Sequence, residues 1–90
     1  MGVHQAFRFK HTSPEEVRTF LRGLAHAASL EDRGELLIFS EVPGEPSFTF
    51  DCLPTSEGFQ SERAGEYFWF LGLLVEGLTG HFGPVEIEDV

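Results

Sequence analysis

Apolar and polar residues alternate along most of this chain, and in two stretches the apolar spacing lengthens to three and four. Val3-His4-Gln5-Ala6-Phe7-Arg8-Phe9-Lys10-His11 has period two, the pattern of a half-buried strand. Val3, Phe7 and Phe9 form its core face; His4, Ala6, Arg8 and Lys10 form the other. Ser13-Pro14-Glu15-Glu16 reads as a helix start, with Ser13 as N-cap, Pro14 at the first helical position and Glu16 completing a capping box. Val17, Phe20, Leu21, Leu24 and Ala28 then make one apolar stripe, opposite Arg18, Arg22 and His26, and this helix is expected to end near Glu31–Gly34. Leu36-Leu37-Ile38-Phe39-Ser40-Glu41-Val42 predicts a strand that is apolar on both faces over its first half. Pro43-Gly44 predicts a tight turn. Ser47-Phe48-Thr49-Phe50-Asp51-Cys52 predicts the returning strand of a hairpin, with Phe48, Phe50 and Cys52 inward. Leu53–Ser61, rich in Pro, Ser, Thr and Gly, reads as a loop. Val85-Glu86-Ile87-Glu88-Asp89-Val90 alternates as a last strand, with Val85 and Ile87 inward.

The second helical stretch is the most apolar. Glu66-Tyr67-Phe68-Trp69-Phe70-Leu71-Gly72-Leu73-Leu74-Val75-Glu76-Gly77-Leu78 holds the only Trp and the only Tyr. On a wheel of about 100° per residue, a helix beginning near Glu62 gathers Ala64, Phe68, Leu71, Val75 and Leu78 on its main face. Trp69 and Leu73 fall on the opposite side, and Phe70 lies between. A helix apolar nearly all round is buried on two sides. The run is too short for a bilayer, which takes about 20 apolar residues. The second cover is therefore another protein surface or a long loop of the same chain.

These elements follow the order β-α-β-β-α-β in one domain spanning residues 1–90. The expected fold class is α+β, a ferredoxin-like two-layer sandwich with an antiparallel sheet in spatial order 4-1-3-2 and two helices on one face. In that arrangement Arg8 and Lys10 lie between Glu86 and Glu88 on one side and Asp51 on the other, as stabilising cross-strand pairs. The strand carrying Leu37 and Phe39 becomes an edge, with those two side chains turned away from the helices. An exposed apolar edge invites pairing with another chain.

Composition narrows the function classes. Fifteen acidic residues against six basic ones give a formal charge of −9, which excludes nucleic-acid binding through phosphate neutralisation. Exposing the strand phenylalanines for base stacking would also bury Arg8, Lys10 and Asp51. Cys52 is the only cysteine, so no internal disulfide forms, and with no signal peptide evident the expectation is a cytoplasmic protein. Asn is absent and Arg outnumbers Lys, a mild thermophile signature that a GC-rich bacterial genome also produces.

No catalytic constellation emerges. There is no Cys-x-x-Cys pair for metal transfer and no Asn for an acylphosphatase-type site. One end of the expected sheet gathers His11, Thr12, Ser13, the Pro43-Gly44-Glu45 turn and His81. There the start of the first helix makes His11, Ser13 and His81 a candidate anion site; two histidines are not a metal set, and neither metal nor cofactor is expected. Cys52 faces the core. The expectation is a non-enzymatic interaction module, a homodimer or the partner of another protein, contacting it through Trp69, Leu73 and Phe70, or through Leu37 and Phe39 on the edge strand. The alternatives are a small-ligand regulatory domain of ACT-like type and an acidic inhibitor or immunity-type protein covering a basic partner.

Overall fold

The structure, a computed structural model, describes residues 3–40 and 48–90. The expected Pro43-Gly44 turn, with its neighbours from Glu41 to Ser47, lies outside the described residues. The chain forms strand β1 (Val3–Arg8), helix α1 (Pro14–Arg22) followed by a single 3₁₀ turn (Gly23–His26), strands β2 (Ser29–Asp32), β3 (Leu37–Ser40), β4 (Phe48–Pro54) and β5 (Gly58–Gly65), helix α2 (Phe68–Phe82) and strand β6 (Glu86–Asp89).

α1 starts where its sequence requires. Ser13 Oγ accepts the Glu16 amide at 3.3 Å, and Pro14 takes the first helical position. The Glu16 carboxylate reaches back to accept from the Thr12 amide at 2.8 Å and the Thr12 hydroxyl at 3.0 Å, one residue earlier than a capping box returns. These bonds hold the Glu16 carboxyl below its ordinary pKa, the Thr12 amide contributing most.

The sheet is six-stranded and antiparallel throughout, in the order β2-β3-β4-β5-β1-β6. The α+β class with an antiparallel sheet and two helices holds, but the four-stranded ferredoxin-like order does not. Relative to that order, β5 is inserted between β1 and β4, and β2 is added outside β3.

Both additions have local causes. At β2, Asp32 Oδ1 accepts the Gly34 amide at 2.8 Å, and Gly34 takes φ +83°. Arg33 N–H donates to the Leu36 carbonyl at 2.9 Å. This aspartate-glycine turn folds Ser29–Asp32 back onto β3, where the sequence suggests the end of a helix. At β5, Thr55 N–H donates to the Gly58 carbonyl at 2.9 Å. Gly58 lies so close to β1 that a Cβ there would sit 2.1 Å from the Phe7 carbonyl oxygen. A side chain at residue 58 would thus separate β5 from β1. Gly65, at φ +80°, ends the strand and turns the chain into α2.

The core forms between one sheet face and the two helices. Phe7, Phe39, Phe50, Cys52 and Phe59 from the sheet meet Val17 and Leu21 of α1 and Phe70, Leu74 and Leu78 of α2, all fully buried. The Phe70 ring lies 4.7 Å from that of Phe39 and 5.3 Å from that of Phe50. Gly77 admits α1: a Cβ there would come within 3.0 Å of Phe20 Cζ.

Two further expectations are corrected. β3 is not an edge, because β2 covers it. Its register, Leu37 opposite Cys52 and Phe39 opposite Phe50, puts both side chains under the helices. Second, α2 begins at Phe68, six residues later than expected, and its buried line is Phe70, Leu74 and Leu78. Phe68, expected inside, is 68 % exposed. Phe70, expected at the contact surface, is in the core.

Candidate functional site

The outer side of α2 carries three large apolar side chains that the described residues leave open: Phe68 at 68 %, Trp69 at 47 % and Leu73 at 37 % exposure. The buried line Phe70, Leu74 and Leu78 fixes their direction, because on a helical wheel Phe68, Trp69 and Leu73 all fall outside the arc it spans. Trp69 leans edge-on over Phe48 at 5.6 Å between centroids, and Phe68 stacks on Tyr67 at 4.6 Å. Gly72 and Gly80, exposed on the same side, have nothing within 4 Å of a built Cβ. Of the expected contact residues, Trp69 and Leu73 thus lie together on the surface, whereas Phe70, Leu37 and Phe39 are interior.

Beneath the start of α2 is a group that pattern reading misses. Arg63 projects from β5 to the helix side of the sheet and is only 6 % exposed. Its Cζ lies 5.1 Å from the Tyr67 ring centroid, 5.7 Å from that of Phe50 and 5.9 Å from that of Phe7. Nη2 donates to Gln5 Oε1, Nη1 donates to Ser61 Oγ at 3.4 Å, and Nε has no acceptor among the described residues. None of the ion pairs among the described residues includes Arg63. Cation–π contacts contribute on the order of 0.5–2 kcal/mol, while a buried cation without a counter-ion costs several. Gln5 extends the line outward, donating through Nε2 to Asp89 Oδ1 at 2.8 Å. The sequence signal for this site is the inward set Phe59, Ser61 and Arg63 between two glycines. It is hidden because two of its three members are polar.

The end of the molecule carrying His11, Ser13 and His81 has a different character from the one expected. Ser13 and His81 do line one groove, of about 660 Å³, floored by Phe20 and Leu24. Glu15 and Glu16 line it too, and their charge opposes an anion. Ser13 is spent on the helix cap, and His11 Nδ1 lies 2.9 Å from the Phe9 carbonyl oxygen, to which it donates. The exposed His81 rests against Phe20 and Phe82. Among the described residues, no three His, Cys, Asp or Glu side chains are grouped to hold a metal ion.

On the sheet face away from the helices, the inserted β5 changes the charge pairing. Arg8 pairs with Glu57 at 2.6 Å and Glu88 at 3.0 Å. Asp51, expected beside β1, instead stands directly opposite Glu62. Partial burial, and secondarily the Glu62 charge, raise the Asp51 pKa above the ordinary carboxylate value. Cys52 is fully buried, which pushes its thiol pKa well above the usual value and keeps it protonated.

Comparison with protein-family models, with curated proteins and with solved structures finds no significant match to this chain.

Proposed function

We propose that this chain is a non-enzymatic interaction module that pairs with a second copy of itself through the outer side of α2. The observation that carries the reading is the cluster Phe68, Trp69 and Leu73 on one side of a 15-residue helix whose other side builds the core. Aromatic anchors of this kind dominate interfaces, and closed twofold pairing is the commonest assembly. The absence of an activated nucleophile at Cys52 supports a non-catalytic role, and a single reduced thiol fits a cytoplasmic setting.

Light scattering on the wild type and Trp69→Glu, across concentration and salt, tests this. The expected result is a wild-type dimer strengthened by salt, because each copy carries −9, and a folded monomeric Trp69→Glu. A wild type that stays monomeric up to millimolar concentration overturns it. The formal charge also supports a second reading, an acidic protein covering a basic partner. That complex weakens as salt rises, the opposite sign.

A further inference from the structure

The buried Arg63 has no counter-ion among the described residues, and it lies against the residue that opens α2. We propose that this end of α2 binds a carboxylate carried on an apolar body, with Arg63 as its counter-ion and Phe68, stacked on Tyr67, as its apolar rim. The inference stands on Arg63 and not on self-association, and a second copy seated on α2 competes with the ligand for Phe68.

Three observations converge. First, Arg63 is only 6 % exposed, and its Nε has no acceptor among the described residues. Its principal acceptor is the neutral carboxamide of Gln5, the isosteric stand-in for a carboxylate. A carboxylate in that place makes charge-assisted bonds about twice as strong as neutral ones. Second, the Arg63 guanidinium packs on the ring of Tyr67, the N-cap residue of α2. That helix start has no side-chain cap and no acidic residue in its first turn. Its free amides and the positive end of its dipole attract an anion. Third, there is a way in. Gln5 is half-buried and its outer hydrogen bond goes to the exposed Asp89, so a swing of this one side chain uncovers Arg63. It does so on the β6 side, where the helices leave Ile87 44 % exposed.

The class of ligand follows from the charge balance. With a formal charge of −9, the chain repels small free anions. A ligand that also covers Phe68 gains apolar burial to offset that repulsion.

The probes are 4-phenylbutyrate and its neutral isostere 4-phenylbutyramide. Binding is read from the fluorescence of Trp69, the only tryptophan, and from the amide resonances of Phe68 and Trp69. The expected result is saturable binding of the acid, with the amide about tenfold or more weaker. Gln5→Glu, made together with Asp89→Asn to remove the carboxylate it would face, supplies a built-in carboxylate to Arg63. It is expected to raise the thermal midpoint and abolish acid binding, a pairing of effects that misfolding cannot produce. Equal affinity for acid and amide, no saturable response, or a folded double variant that binds the acid undiminished overturns the proposal. Light scattering on the same samples separates the two readings. A wild-type monomer that binds the acid sinks self-association alone, and a folded, monomeric Trp69→Glu that shows no saturable shift of the Phe68 amide resonance sinks this site alone.

Discussion

Replacing Glu62 by Lys is expected to stabilise the fold, because β5 places that side chain directly opposite Asp51 on the outer sheet face. Like charges facing each other across an antiparallel pair are destabilising, and opposite charges stabilising, each by about 0.2–1 kcal/mol. Glu62→Lys reverses the sign, so the swing sums to about 0.5–2 kcal/mol, and Glu62→Gln recovers about half. For a domain of this size 1 kcal/mol moves the thermal midpoint by about 4–8 °C, so the lysine variant should melt about 2–16 °C above the wild type. Lys and Glu are similarly disfavoured in strands, so propensity does not confound the comparison. His4 stands opposite Glu62 on the other side, so all melts are best compared at one fixed pH near 8.

The pH dependence has a definite sign. Burial and the Glu62 charge raise the Asp51 pKa in the folded state, so the folded chain holds that proton more tightly than the unfolded chain. The wild type therefore loses this contribution as pH rises from the ordinary carboxylate pKa through the raised folded value. The advantage of Glu62→Lys opens over the same window, is complete above it and vanishes below it. Salt at about 1 M, with a Debye length of about 3 Å, should remove most of the difference. A lysine variant no more stable than Glu62→Gln at pH 8 and low salt would refute the register of β5 against β4.

Three other substitutions probe α2. Phe70→Ala removes a fully buried ring packed on Phe39, Phe48 and Phe50. It should cost about 3–5 kcal/mol in denaturant unfolding, and a loss below about 1 kcal/mol would return Phe70 to the surface. Gly80→Ala faces open space within the helix and should gain about 0.5–1 kcal/mol from propensity. Gly77→Ala meets the Phe20 ring at 3.0 Å and should forfeit that gain, so equal effects at the two glycines would contradict the packing of α1 on α2.

The parts of the fold that were readable are those in which local chemistry and tertiary role agree. β1 and β4 alternate phenylalanine with polar residues, and α1 carries both a cap and a stripe. β2 escaped because only Leu30 among its four residues is apolar. β5 escaped because its inward Ser61 and Arg63 are as polar as its outward Gln60 and Glu62, so the period-two pattern that marks a half-buried strand is missing. With β5 taken for a loop and a helix start, the wheel of α2 began too early. A run apolar on nearly every side then offered no second clue to its inward face. That face was settled by Phe70 fitting over Phe39, Phe48 and Phe50, a tertiary fact with no local trace. Trp69 and Leu73 were legible as a pair because they oppose the bulk of the helix in either phase. Leu37 and Phe39 were not, since their strand is apolar on both sides and only its register against β4 sorts them.

Charge also bears on where two copies of this chain can meet. Strand β6 offers Glu86, Glu88 and Asp89, and β2 offers Glu31 and Asp32, so pairing like edges would set carboxylate against carboxylate. The outer sheet face carries the like-charged Asp51–Glu62 pair, only partly offset by Arg33. The outer side of α2 is different: around Trp69 and Leu73 it presents Gly72 and Gly80, with Glu76 its one acid among the exposed helical positions. Self-association through α2, as proposed, would therefore gain from salt, which screens the overall repulsion and leaves apolar contact untouched. A basic partner would favour the acidic edges and the outer sheet face, and would be lost to salt. The sign of the salt dependence thus reports which surface is in use, before any interface has been mapped.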